Sequence, residues 1–270
     1  MKKLIYLLLI ICSICSVSTF AQSPAKIEPF KLGETLVYEG KYNKAILRGI
    51  AIADFNFTVQ SASNSPDFLL KSEAKSKGTL IKLLGFKFNQ NFQSTVDSEK
   101  LRILKTVKRD EQDERVRASE AVFDYRSKKV IFVETDPNDM ARPPYRTASP
   151  IETDTQDIVS AIYTLRRLPL AVGKSFELAV SDSGLVYKIP VRVTARELQK
   201  SVLGKVWCFR VEPQVFGDKR LIEQKGNMII WITDDARRIP IRAQIDANIG
   251  RVEIKLKEIK FVGQTHASKS

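Results

Sequence analysis

The sequence predicts an all-β protein with one substantial helix, folded as a curved antiparallel sheet of barrel-like or sandwich architecture. Three observations carry this. Period-two alternation recurs along the chain, as in Ile50 to Val59, where Ala51, Ala53, Phe55, Phe57 and Val59 share one face and Ile52, Asp54, Asn56 and Thr58 the other. Turn-forming clusters such as Ser61–Asp67 and Asp234–Arg237 punctuate the alternating runs. One stretch alone, with Ile158, Ile162 and Leu165, repeats apolar residues at helical spacing.

In chain order, Leu36–Glu39 reads as a first strand, Ile50–Val59 as a second and Phe68–Ala74 as the start of a third. Phe86, Phe88 and Phe92 recur at even spacing, as either a packed core face or an apolar lining. Leu101–Val107 and Val116–Phe123 flank a charged run, Arg109–Glu114, and predict a hairpin with a charged tip. Lys129–Glu134 is a short strand, and the Pro-rich Asp136–Pro150 reads as a long surface loop. The helix starts after Thr153–Thr155, where Thr153 and Gln156 fit a capping box, and stops at Pro169. Arg166 and Arg167 fall in its last turn, where the helix dipole favours cations.

Strands resume after Gly173. Ile189–Ala195 alternates, Ser201–Lys205 is a turn, and Val206–Val211 returns. Gly226–Thr233 is apolar on both faces, as a strand covered on both sides requires. Asp234–Arg237 turns the chain into Ile239–Ile245. In the last strand the alternation of Val252, Ile254 and Leu256 changes phase to Ile259 and Phe261, which predicts a bulge near Lys257.

The first 21 residues read as a secretory leader: Lys2 and Lys3, an apolar run from Leu4 to Ile11 extended to Ile14, and a cleavable end at Thr19–Ala21. The apolar core is too short to cross a bilayer as a helix. Cys12 and Cys15 follow Ile11 and Ile14, where lipoprotein processing wants a small residue, so a soluble product starting at Gln22 is expected. The expected organisation is leader 1–21, one β-rich domain over 22–262 that could divide into two β halves near 136–170, and a disordered tail over 263–270.

Beyond the leader the chain keeps one cysteine, Cys208, so no internal disulfide is available. The net charge is +13, of which Lys2 and Lys3 account for two. In an exported protein this balance points to phospholipid head groups, lipopolysaccharide or acidic glycans as partners and away from nucleic acid; scattered solubilising charge is the simpler alternative.

The string Gly226…Trp231-Ile232-Thr233-Asp234-Asp235-Ala236-Arg237-Arg238-Ile239-Pro240-Ile241-Arg242 resembles a bacterial exported family, domain of unknown function 3108. Phe30–Tyr38, Asp157–Arg166 and Gly204–Cys208 with Val211–Pro213 fit the same family. The resemblance implies an exported, β-rich, barrel-like or strongly curved antiparallel architecture; it implies no activity and transfers no catalytic residue.

The single histidine, His266, is the fifth residue from the end, so histidine-based triads and His-rich metal sites are not expected. No cofactor, metal site or catalytic set is predicted. Cys208, between Trp207 and Phe209, reads as a small buried hydrophobe, and Asp234–Asp235 as turn residues. Asp136, Asn138 and Asp139 lack the glycine and distal glutamate of a calcium loop. The candidate ligand-binding residues are Phe86, Phe88, Phe92, the helical polar track Asp157, Ser160, Tyr163 and Arg166, and Trp231.

The expected function is a non-enzymatic envelope protein, periplasmic or otherwise exported, that binds an amphipathic or acidic ligand, a lipid or a glycan, inside or against the curved sheet. One alternative is an enzyme acting on envelope glycans through Glu34, Glu39, Asp234 or Asp235. Another is a structural or assembly factor docking on another envelope protein.

Overall fold

The computed structural model describes residues 31–45, 47–78, 81, 87–248 and 250–261. The leader, Phe86 and the tail with His266 lie outside the described residues. The first half comprises β1 (Glu34–Lys44), β2 (Leu47–Ser61), β3 (Phe68–Ser76), β4 (Phe88–Val96), β5 (Ile103–Gln112), β6 (Arg115–Asp124), β7 (Lys129–Thr135) and β8 (Tyr145–Pro150). A two-residue strand, β9 (Gln156–Asp157), leads into α1 (Ile158–Arg167). The second half comprises β10 (Ser175–Asp182), β11 (Leu185–Ser201), β12 (Gly204–Pro213), β13 (Gly226–Thr233), β14 (Pro240–Ala247) and β15 (Gly250–Phe261).

These strands form a single curved, unclosed sheet. Strands β1 to β8 are one antiparallel meander and β10 to β15 another. The first and last strands, β1 and β15, pair antiparallel and fuse the two halves. This leaves β8 and β9 at opposite edges, with β9 parallel to β10. Curvature brings the two ends together. Gly184, in the β10–β11 turn at φ +79°, lies so close to β7 that a Cβ there would sit 2.6 Å from Phe132 Cβ. The expected bulge is present: Val37 pairs with Glu258 and Tyr38 with Leu256, which skips Lys257.

The connection from β8 to β9 runs from one edge of the sheet to the other, and α1 follows β9 inside the curve. Val159 and Tyr163 pack with Val59, Leu70, Ile103 and Phe123 of the first half, while Ala161 and Leu165 pack with Val180, Val191, Val211 and Ile232 of the second. The central strand β13 is covered on both faces as its composition requires: Ile230 and Ile232 join the helix-side cluster, and Ile229 and Trp231 join another with Cys208, Ile239 and Ile241.

Three details differ from the sequence expectation. The helix is capped by Asp157, not Thr153: Asp157 Oδ1 accepts the Ser160 N–H at 2.7 Å and Ser160 Oγ accepts the Asp157 N–H at 3.0 Å. Pairing of Gln156 and Asp157 with β10 keeps the chain extended one turn further, and Thr155 Oγ1 instead accepts the Glu152 N–H. Second, the charged run Arg109–Gln112 belongs to β5, because Asn89 and Gln90 of β4 donate side-chain hydrogen bonds to Glu111 and Asp110. Third, the Pro-rich segment ends in the edge strand β8, where Pro150 is tolerated because one side of an edge lacks a partner. The helical polar track is buried throughout: Asp157, Ser160, Tyr163 and Arg166 are all buried, while Ile158 and Ile162 are only partly so.

Arg166 shows how that burial is sustained. Its two terminal nitrogens donate to Glu34 Oε1 at 2.6 Å and Oε2 at 3.2 Å, and Nη2 also donates to the Arg237 carbonyl at 3.0 Å. Both side chains of the pair are almost fully buried. Asp157 is held similarly at the other end of the helix, its Oδ2 accepting the hydroxyls of Ser94 and of Thr106, the latter at 2.6 Å. One buried carboxylate from the sheet and one on the helix thus pin both helix ends.

Removing either partner of the Arg166–Glu34 pair strands a charge in the interior. E34Q or R166M alone is expected to cost about 3–5 kcal/mol, and the double variant less than the sum, read by urea unfolding and a double-mutant cycle. Burial, reinforced by the nearby Asp235, Asp234 and Glu197 charges, pushes the Cys208 thiol up to about 12. The folded chain therefore keeps a proton that the unfolded thiol releases at a lower pH, so stability falls as pH rises from about 9 toward 12. C208A is expected to flatten that fall, and the native thiol to resist aromatic disulfide reagents at pH 8 until the protein is unfolded.

Candidate functional site

Between α1 and the β1–β15 seam lies a cavity of about 170 Å³. Its walls come from three sources. Alternation along β1 and β2 turns Leu36, Tyr38, Phe55 and Phe57 inward. The helix supplies Ile162, Tyr163 and Arg166, and β13 to β15 supply Ile230, Arg242, Ala243 and Ile254 among others. The lining is almost wholly carbon, which suits an apolar group.

The polar groups at its walls are few and specifically held. Tyr38 donates its hydroxyl to the Pro240 carbonyl at 2.7 Å and meets Phe57 edge-on at 5.7 Å. Burial drives the Tyr38 and Tyr163 phenols well above their ordinary range, and the Arg166 charge opposes this only in part, so both stay protonated. Arg242 stacks over Trp231 at 4.5 Å and pairs with Glu253. The Nε–H groups of Arg166 and Arg242 are buried without a hydrogen-bond partner among the described residues. Two cationic side chains at this apolar cavity therefore each carry an unbonded Nε–H, as Arg102, Arg210 and Arg238 do elsewhere.

The sequence-predicted residues divide between places. Tyr163 and Arg166 line this cavity. Phe92 and Asp157 line a separate cleft of about 40 Å³ at the start of α1, with Thr106, Asp110 and Ile158. Ser160 is engaged in the helix cap. Phe88 lies partly buried at the start of β4, its N–H bonded to Ser76 Oγ; Phe86 lies outside the described residues. Trp231 packs beside Cys208 and donates its indole N–H to Glu197 at 2.9 Å. The cavity residues the sequence reading overlooked, Tyr38, Phe55 and Phe57 foremost, sit on strand faces whose alternation was plain. Only their convergence with the helix was invisible.

The four carboxylates considered for glycan chemistry are ion-paired: Glu34 with Arg166, Glu39 with Lys77 and Lys41, Asp234 with Arg196 and Arg238, and Asp235 with Arg237. The Lys77 hydrogen bond holds Glu39 below its ordinary pKa. Burial works against ionisation of Asp235, but Arg237 and the Thr233 hydroxyl outweigh it and keep that carboxyl low as well. A general acid needs the opposite shift. Among the described residues no cluster of three or more metal-ligating side chains occurs.

No curated protein matches the chain. Among solved structures it is similar to a β-barrel-like protein of domain of unknown function DUF1849 from Brucella abortus, with a TM-score of 0.58 and 10% identity over 87% of this chain and 99% of that one. Looser likenesses are a DUF1089 family protein from Pseudomonas aeruginosa (TM-score 0.39, 13% identity, 74% and 92% covered) and a candidate exported protein with a YmcC-like fold from Bacteroides fragilis (0.34, 11%, 88% and 100%). The first shows the barrel-like fold alone. A family model described as Protein of unknown function (DUF3108) matches residues 37–257, and the chain belongs to that family.

Proposed function

We propose that this is an exported, non-enzymatic binding protein that holds the apolar end of an amphipathic anion in the cavity beneath α1. The cavity with its two unused arginine donors carries this reading. Its volume is close to that of an engineered apolar cavity of about 150 Å³ that accepts benzene, so it suits a short acyl segment or one ring and not a whole lipid. An anionic head beside Arg166 or Arg242 would gain charge-assisted hydrogen bonds in a low-dielectric setting. The ion-paired state of Glu34, Glu39, Asp234 and Asp235 favours binding over carboxylate catalysis. Export rests on the leader pattern at residues 1–21.

A second reading, docking onto another envelope protein, draws on Val107, Val122 and Ile131, which are exposed together on the outer face of β5 to β7, Val122 directly opposite Ile131.

Titration with hexanoate and hexanol, followed by NMR shifts of the cavity side chains, tests the cavity. Saturable binding with hexanoate the tighter is expected, and A243F, which fills the lining, is expected to weaken it by about tenfold or more. Absence of binding by either probe overturns the reading. N-terminal sequencing of protein recovered from its host's envelope fraction is expected to begin at Gln22; an intact Met1 start there overturns cleavage.

A further inference from the structure

The hairpin of β11 and β12 ends in the turn between Ser201 and Gly204. One side of this end is anchored, since Leu203 and Val206 pack against the cluster containing Cys208 and Trp231. The other side faces water with Leu198, Val202 and Trp207, which are 50%, 52% and 48% exposed. In the strand register Leu198 lies directly opposite Trp207, and Lys200 directly opposite Lys205.

Two costs thus coincide on one small face. Large apolar side chains are left in water, and like charges sit across from each other, an arrangement that destabilises a hairpin. Neither lysine has an ion pair among the described residues, and the sequence carries no acid between Leu198 and Val211. At the base of the face Arg196 stacks over Trp207 at 4.4 Å and is neutralised by Asp234 at 2.6 Å, so the free positive charge is concentrated at the tip.

One kind of partner relieves both costs: a surface with anionic groups above hydrocarbon. We propose that this hairpin end docks on an anionic lipid bilayer, with Trp207, Leu198 and Val202 entering the headgroup–acyl boundary and Lys200 and Lys205 reaching the phosphates. An indole is suited to that boundary because it pairs an apolar body with an N–H, and lysine stems extend along apolar surface while their ammonium groups stay at the polar layer. Residues 198–201 and 204–207 pair with each other, and shallow seating at the headgroup layer leaves their open outer edges to water. The inference does not rest on the cavity, which lies on other elements and is tested with water-soluble probes.

Vesicle sedimentation of the chain from Gln22 onward tests it, using phosphatidylcholine vesicles with and without one-third phosphatidylglycerol. Binding is expected only with phosphatidylglycerol, falling steeply with salt and accompanied by a blue shift in tryptophan emission that W207F abolishes. K200Q/K205Q is expected to weaken binding by about thirtyfold, and W207S by about tenfold, with circular dichroism unchanged. If a variant fails to fold, the lipid selectivity and emission shift of the unaltered chain still decide. Three results overturn the proposal: no binding to phosphatidylglycerol vesicles, equal binding to both vesicle types, or a concentration-dependent dimer, seen by light scattering, that W207S dissolves.

Discussion

A buried guanidinium–carboxylate pair organises this protein. Glu34 opens the first strand, Arg166 sits in the last turn of the helix, and the two are separated in sequence by the whole first meander yet meet by two hydrogen bonds in the interior. Because β1 is also the strand that joins the half-sheets, this contact fixes the helix against the fusion line and not against one half alone. The Arg166–Arg237 carbonyl bond adds the β13–β14 turn to the same point. A charge pair so far from water ties the two elements together in one geometry, because either partner is costly to bury without the other. The cavity lies beside it, and its shape depends on where that pair holds Tyr163 and Ile162.

The sheet explains how one helix can be buried on nearly every side. A flat sheet covers one face of a helix. A sheet of this length, with the right-handed twist of its strands and a bulge at Lys257, curls around it instead. The hydrophobic requirement on the helix then changes: polar residues become acceptable where the surrounding strands supply a carboxylate, a hydroxyl or a carbonyl. Asp157 finds Ser94 and Thr106, and Arg166 finds Glu34. Each end of the helix has a built partner, and the middle is apolar.

Much of this architecture was legible in the sequence because strand alternation is local. Ile50 to Val59, the doubly covered Gly226–Thr233 strand and the phase change at Lys257 each announce themselves within ten residues or so. The helix was legible as an element, but its cap and its orientation were not. Thr153 and Asp157 both satisfy a capping pattern, and only the pairing of Gln156 and Asp157 with β10 chooses between them. Likewise Arg166 on a polar helix stripe is indistinguishable from a solvated arginine until Glu34, far away in sequence, is placed beside it. The cavity was hidden for the same reason: apart from Arg166 and Arg242 its wall residues are ordinary core by type, and the space among them belongs to the convergence of β1, α1 and β14.

The pairing of β1 with β15 bears on how such a chain comes into being. Each meander is made of neighbours in sequence and can assemble early, because its strands have short loops to close. Their union is different: it joins the two remote ends of the described chain, and no nascent form lacking the final segment possesses it. The β1–β15 pairing therefore cannot form before residues 250–261 have been made. Until β15 emerges, no strand pair joins the two half-sheets.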